Sequence, residues 1–286
     1  MTLISLLLVL ALEFHFKLGS EYRDFTWFTK ARDYLTSLFS EQDFFDSWGG
    51  VAIILLTPVL VLYALVSMFD GSLYWLLLFL VSIVVLFLCL GPKPLEQSFK
   101  AYFDSMQRDD LEAAFLHLSQ IHQDSENEDI PENDELVRSA TRIILIESQK
   151  RYFGVIAWFI FLGPLGALFY RLSHLYRDHC VTQEFDEHLP LMNQLIHWVE
   201  WLPARLTSLA FLLTGDFVNG FYRVKDYLSD TDADNNQLIS ETGIASLSLD
   251  MGVSDGDVEE NHRTIAMVRR TVIIFVVVAA LMATIT

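Results

Sequence analysis

GGVAIILLTPVLVLYALVSMF (residues 49–69) and SLYWLLLFLVSIVVLFLCL (residues 72–90) contain no charged side chain, and only Asp70 and Gly71 separate them. A helix crosses the roughly 30 Å hydrocarbon core of a bilayer with about 20 apolar residues. In that medium every backbone amide must be satisfied inside its own segment, so each stretch reads as a helix. The two together form an antiparallel transmembrane hairpin, with Pro58 as a kink in the first arm. Composition agrees: the 286 residues are 52% hydrophobic and only 20% charged, and mean hydropathy is +0.35, outside the range of soluble domains. The fold class is an all-α integral membrane protein. It has about four full transmembrane helices plus short or re-entrant segments and amphipathic helices.

Working outward from the hairpin, residues 1–12 are apolar, lack a basic leading region and run straight into Glu13, His15 and Lys17. That is not the pattern of a cleaved signal peptide. About 14 helical residues rise only roughly 21 Å, so a half-helix and a shallow first span both remain open. Residues 23–45 mix Phe25, Trp27, Phe28, Tyr34, Phe39, Phe44 and Phe45 with charges, as in a helix lying among lipid headgroups. Gly91-Pro92-Lys93-Pro94 ends the hairpin. Phe99, Phe103, Met106, Leu111, Phe115, Leu118 and Ile121 then recur at steps of three to five, predicting one amphipathic helix. It stops at the acidic stretch 123–134.

A second helix opens near Asn133 and leads into a third span over residues 152–172, interrupted by Gly163-Pro164 and Gly166. Residues 198–215 hold an apolar core too short for a comfortable crossing, giving a broken, re-entrant or short span. Residues 216–228 predict an amphipathic helix, 229–261 a flexible acidic linker, and 271–286 a final apolar segment. The resulting organisation has five regions. Residues 1–92 carry the apolar segment, interfacial helix and hairpin, and 93–151 the polar amphipathic helices. Residues 152–228 hold the broken span and the short segment, 229–262 the acidic linker, and 263–286 the C-terminal transmembrane segment.

Nineteen Lys and Arg against 37 Asp and Glu leave a net charge of −18. Binding to nucleic-acid phosphates needs clustered cations, so a nucleic-acid partner is excluded. If residues 198–215 cross fully, sixteen of the nineteen cations share one side of the membrane, a positive-inside pattern that makes that side cytoplasmic. Two cysteines, Cys89 in an apolar run and Cys180 in a polar one, predict no structural disulfide. The histidine pairs His117/His122, His174/His179 and His188/His197 have none of the spacings of a strong metal signature and read as solvated loop residues. No metal and no cofactor is expected. Residues 230–241 place Asp230, Asp232, Asp234 and Glu241 at positions 1, 3, 5 and 12 of a calcium loop. Asn235 stands where glycine is usual and Gln237 where an apolar anchor belongs, so an acidic linker is the plainer reading.

Charge at or inside the membrane carries the most information, because an unpaired charge costs several kcal/mol in hydrocarbon, roughly 3 or more. Glu147, Arg151, Arg171, Glu200 and Arg205 stand in or beside apolar segments. Glu147 and Arg151 are spaced i, i+4, on one helix face at the entrance to the third span. Glu200 and Arg205 bracket Trp201-Leu202-Pro203. One reading makes these residues snorkelling or paired anchors. The other makes them a polar ligand-binding pocket with the arginines as anion clamps, since broken helices beside polar clusters often hold binding sites. No phosphate-binding loop, dinucleotide fingerprint or nucleophile elbow occurs in the sequence.

RYFGVIA at residues 151–157, FIFLGPLGALFYR at residues 159–171 and WLPARLT at residues 201–207 resemble the CobD/CbiB membrane proteins. Asp110-Leu111-Glu112-Ala113-Ala114 is similar to their soluble-helix motif. Those proteins are adenosylcobinamide-phosphate synthases, which form an amide on a corrinoid. The opening LEFHFKLG at residues 12–19 and the C-terminal apolar segment resemble more closely the AmpE branch of that superfamily. AmpE proteins are inner-membrane regulators in β-lactamase induction, paired with a cell-wall recycling amidase, and no catalysed reaction attaches to them. Relative to the synthases, Gln149-Lys150 and Phe153 replace Glu-Asn and Asp, and Glu200 replaces Asn. Amide synthesis needs positioned acid–base groups, so these losses imply a retained fold without catalysis.

The resemblance implies a multi-pass protein of the bacterial inner membrane that modulates β-lactamase induction in response to peptidoglycan recycling. Its expected partners are the lipid bilayer and a cell-wall-derived ligand or protein. The alternative is a membrane amide synthase related to the corrinoid enzymes.

Overall fold

A computed structural model describes residues 2–16, 25–39, 42, 44–68, 71–91, 94–121, 132–183, 187–247 and 258–285. Among the described residues the chain is helical and contains no strand. Two compact units share the chain, neither continuous in sequence. One comprises Met1–Pro92, Gly154–Pro203 and Val276–Thr286, the other Lys93–Phe153 and Ala204–Phe275.

The first unit contains α1 (Thr2–Phe16), α2 (Thr26–Phe39), α3 (Trp48–Ser67) and α4 (Gly71–Cys89). Both arms of the expected hairpin are helices, and Pro58 lies inside α3. The Asp70 of the expected turn lies outside the described residues. Ser47 caps α3 by accepting a hydrogen bond from the Gly49 amide at 3.3 Å, a standard N-terminal solution for an orphan donor. Gly50 allows the close entry to this helix, because a Cβ there would lie 1.9 Å from the Phe45 carbonyl. The arms expose Leu60, Tyr63, Leu65, Trp75, Leu76 and Val84, an outward apolar surface that suits lipid rather than water. Helix α1 packs on α4 and on the later helix α8, and α2 packs on α3. Helix α2 buries Phe28 and leaves Trp27, Tyr34 and Leu38 exposed, the amphipathic pattern expected for an interfacial segment.

The second unit begins with α5 (Leu95–Met106) and α6 (Leu111–Ile121). The single helix expected over residues 99–121 is therefore two. Asp109 adopts a left-handed backbone at φ 55°, and Asp110 accepts the Ala113 amide at 3.0 Å. Side chains of this kind compete with the helical backbone and restart it, a break that apolar periodicity does not register. Helix α7 (Asn133–Ser148) follows and leads through a π-helical turn (Gln149–Phe153) to α8 (Gly154–Thr182), which lies in the first unit. In α8, Gly163 takes φ 65° immediately before Pro164. Glycine adopts that conformation cheaply, so the predicted interruption of the third span is present.

Helix α9 (Leu189–Thr214) is a continuous 26-residue helix. The broken or short span expected at residues 198–215 is its C-terminal part, with Pro203 inside it. Helix α10 (Phe217–Ser229) fits the expected amphipathic segment. The acidic linker expected over residues 229–262 contains helix α11 (Asn235–Ser246), whose Leu238, Ile239, Ile244 and Ala245 are buried. Asp234 caps α11 by accepting the Asn236 amide at 2.7 Å and the Gln237 amide at 3.3 Å. Helix α11 packs against α7 and α10. Gly243 permits the first contact, since a Cβ there would meet the Leu145 side chain at 2.6 Å. The acids dominate composition, but the few apolar residues decide structure because burial orders them.

Helix α12 (Glu259–Ile285) begins twelve residues before the expected terminal segment at residue 271. Among the described residues, three helical stretches are long and apolar enough to cross a membrane: Trp48–Ser67, Asn133–Thr182 and Glu259–Met282. Leu3–Glu13 and Tyr74–Cys89 are shorter apolar helices.

Candidate functional site

Within the second unit, the i, i+4 spacing of Glu147 and Arg151 brings them together as the sequence implies. Arg151 Nε and Nη2 each lie 2.8 Å from Glu147 Oε2. Arg151 Nη1 donates to Ser98 Oγ of α5 at 2.6 Å. Both charged residues are buried. Arg151 stands in the π-helical turn, a local widening of the helix that is frequent at functional sites. Gln149, in the same turn, accepts the Thr207 hydroxyl of α9 at 2.7 Å. Its Nε2 has no hydrogen-bond partner among the described residues.

Arg205 belongs to the same unit but engages different partners. Its Nε donates to the Leu228 carbonyl at 3.2 Å and its Nη1 to Asn235 Oδ1 at 3.1 Å. Its Nη2 donates to the Asp230 carbonyl. Carbonyls at a helix C-terminus lack intrahelical donors. One guanidinium therefore ties α9 to the connection between α10 and α11. The sequence reading of Arg205 as an anion clamp omits this structural role, because two of these acceptors are backbone carbonyls 23 and 25 residues away and the Asn235 side chain is 30 residues away.

In the first unit, Glu200 of α9 and Arg171 of α8 are both buried. Tyr170 Oη donates to Glu200 Oε1 at 3.2 Å, and His174 Nε2 lies 3.2 Å from the same oxygen. The Tyr170 and His174 rings are 4.6 Å apart, as i, i+4 neighbours on α8 should be. Tyr170 reaches Glu200 past Gly154, where a Cβ would lie 2.1 Å from the phenolic oxygen. Arg171 stands 5.9 Å from the centre of the Phe25 ring, within cation–π range.

A second buried histidine stands nearby in chain order. His188 Nε2 is 2.7 Å from the Phe45 carbonyl, and its Nδ1 meets the Tyr176 hydroxyl. A carbonyl can only accept, so Nε2 carries the proton and Nδ1 accepts from Tyr176. His174 and His188 are thus core residues, a correction to the reading of the histidines as solvated. The i, i+4 pair Tyr170/His174 was a signal available in the sequence. The contact of His188 with Phe45 joins residues 143 apart and was not.

The calcium-loop reading meets a concrete competitor, since Asp234 spends its carboxylate capping α11 and Asp230 Oδ1 accepts the Asp232 amide at 2.9 Å. Among the described residues no group of three or more His, Cys, Asp or Glu side chains could hold a metal ion. Cys89 and Cys180 are both buried thiols.

Comparison with known proteins bears on what these clusters serve. The chain is 27% identical over 151 residues to "Cobalamin biosynthesis protein CobD" of Chromobacterium violaceum, an alignment covering 51% of this chain and 47% of that protein. It is 23% identical over 293 residues to "Protein AmpE" of Shigella flexneri, covering 99% of this chain and 98% of that one. No solved structure matches it. The family model described as "Regulatory signalling modulator protein AmpE" matches residues 1–286, and the chain belongs to the AmpE family.

Proposed function

We propose that this regulatory membrane protein modulates β-lactamase induction from the bacterial inner membrane. It responds to cell-wall recycling by binding a cell-wall-derived ligand or a protein partner, without catalysis. The observation that carries this reading is the family match along all 286 residues. The recognition groups are the buried charges: Glu147, Arg151 and Arg205 in one unit, and Arg171 and Glu200 in the other. Arg205 positions the α10–α11 connection of its own unit. Peptidoglycan fragments carry carboxylates, which guanidinium groups bind with charge-assisted hydrogen bonds.

The test is the β-lactamase level in an inducible strain lacking the gene, complemented with wild-type chain or with an Arg151→Ala, Arg205→Ala double variant. Expected is altered induction by a β-lactam in the deletion strain and in the double variant, at equal protein in the membrane. Unchanged induction in the deletion strain would remove the regulatory reading. Restored induction with the double variant would remove the arginines from it.

The similarity to the cobalamin biosynthesis protein favours a second reading, a membrane amide synthase. Complementing a strain without its cobinamide-phosphate synthase decides between them. Cobalamin-dependent growth would establish catalysis, whereas failure from well-expressed protein leaves the regulator.

A further inference from the structure

Helix α10 has more apolar surface than its own fold uses. One side packs: Val224 joins Leu212 and Leu238 in a buried cluster, with Leu228 against it. Gly220 lets this side approach α9, because a Cβ there would lie 2.4 Å from the Leu212 side chain. The Asp216 amide donates to the Ser246 carbonyl at 2.8 Å and holds the start of α10 to the end of α11. The orientation of the helix is therefore set from within the second unit.

At 3.6 residues per turn, Phe217, Val218, Phe221, Tyr222 and Lys225 fall on a neighbouring arc. All five are exposed, Val218 at 61% and Tyr222 at 72%. Phe217 and Phe221 stack with ring centres 5.7 Å apart and an interplanar angle of 5°. The arc contains no acid, in a chain whose net charge is −18. Just before it, the last turns of α9 expose Leu209 and Leu213, and only Gly215 and Asp216 intervene. Apolar exposure is thus continuous along the chain from the end of α9 into α10.

We infer that α10 is an in-plane membrane helix whose Phe217–Val218–Phe221–Tyr222 face inserts into the acyl–headgroup boundary of the bilayer. The lipid reading is favoured by three features. Phenylalanine suits the inserted face of an in-plane helix, and tyrosine the headgroup belt, where its ring meets lipid and its hydroxyl meets water. Lys225 follows at the end of the same arc, with a stem long enough to keep its ammonium in water. The exposed leucines of α9 continue the surface from a helix of a membrane protein. Helix α10 is therefore a membrane anchor of the second unit.

The test uses the full chain in vesicles of phosphatidylethanolamine and phosphatidylglycerol. Val218→Cys and Tyr222→Cys variants, made with Cys89 and Cys180 replaced by alanine, carry a nitroxide, with Asp232→Cys as the reference. The expected result is an oxygen-to-nickel-chelate collision ratio several-fold higher at positions 218 and 222 than at 232. Chelate access equal to that at 232 overturns the inference. Low access to both reagents with spin–spin broadening also overturns it and assigns the face to a second copy of the chain. Should the cysteine-free background fail to fold, the wild-type chain is photolabelled from a phospholipid with a diazirine on its acyl chain. Adducts on the peptide containing residues 217–222 support insertion, and their absence from it, with adducts on α3, overturns insertion.

Discussion

Asn261, at the start of α12, accepts the Tyr102 hydroxyl of α5 at 2.9 Å. Through its Nδ2 it also donates to the Val137 carbonyl and Thr141 Oγ1 of α7, each at 2.9 Å. Asn261 and Tyr102 are both fully buried. Three helices of the second unit are thereby joined through one side-chain amide. Asn261→Ala removes three hydrogen bonds and orphans a buried phenol, a loss of about 2–4 kcal/mol. Chemical unfolding of the detergent-solubilised protein measures it, and a loss below about 0.5 kcal/mol would show that the amide is not a structural junction.

The same contact has a pH signature. Burial raises the Tyr102 phenol above its ordinary value, near 10 in an unfolded chain. A group whose proton is held more tightly in the folded state contributes its full stability below the unfolded value. That contribution declines as pH rises above about 10, toward the folded value. Melting temperature should fall more steeply above about pH 10 in the wild type than in Tyr102→Phe. Parallel alkaline limbs would contradict this.

Gly154 is the space through which Tyr170 reaches Glu200. Gly154→Ala should cost about 1–3 kcal/mol, as overpacking of a close contact does. Tyr170→Leu removes the ring atoms that would clash, so the double variant should lose less than the sum of the two single losses. Strict additivity in thermal unfolding would show that the contact does not constrain residue 154.

Arg151 and Glu147 form a buried pair, and removing one partner strands the other. Arg151→Ala should destabilise by about 3–5 kcal/mol, and replacing both with apolar residues of similar volume by much less. A double-mutant cycle in the unfolding free energy reads the coupling directly. A cycle near zero would mean the pair is solvated.

Asp234→Ala tests whether residues 235–246 are a folded part of the second unit. Loss of the capping carboxylate should cost about 0.5–2 kcal/mol and hasten amide exchange at Leu238 and Ile239. Exchange at those amides that is fast in the wild type would return the segment to the class of linkers.

Within the candidate site, the pairing of Glu147 with Arg151 was legible because it rests on local spacing. Glu147 and Arg151 are one helical turn apart, and a helix fixes such neighbours whatever surrounds it. Gly163-Pro164 marks the interruption of α8 for an equally local reason. The Ser98 that completes the Arg151 contacts lies 53 residues away, and the backbone carbonyls that bind Arg205 have no side-chain signature. Helix α11 was hidden by the acids that flank it, since composition averages over the four buried apolar residues that order it.

The sequence by itself determined that this is a helical membrane protein, where its main apolar helices run and which charges lie in costly places. Those properties follow from runs of side chains too apolar for water and from the 3.6-residue repeat, both local. Only the tertiary structure decided that the acidic segment folds, that two histidines are interior and that Arg205 pins a helix connection. It also decided that α10 turns an aromatic face outward. Each of these depends on which distant residue supplies a hydrogen-bond acceptor or withholds a packing partner, and no local pattern encodes that.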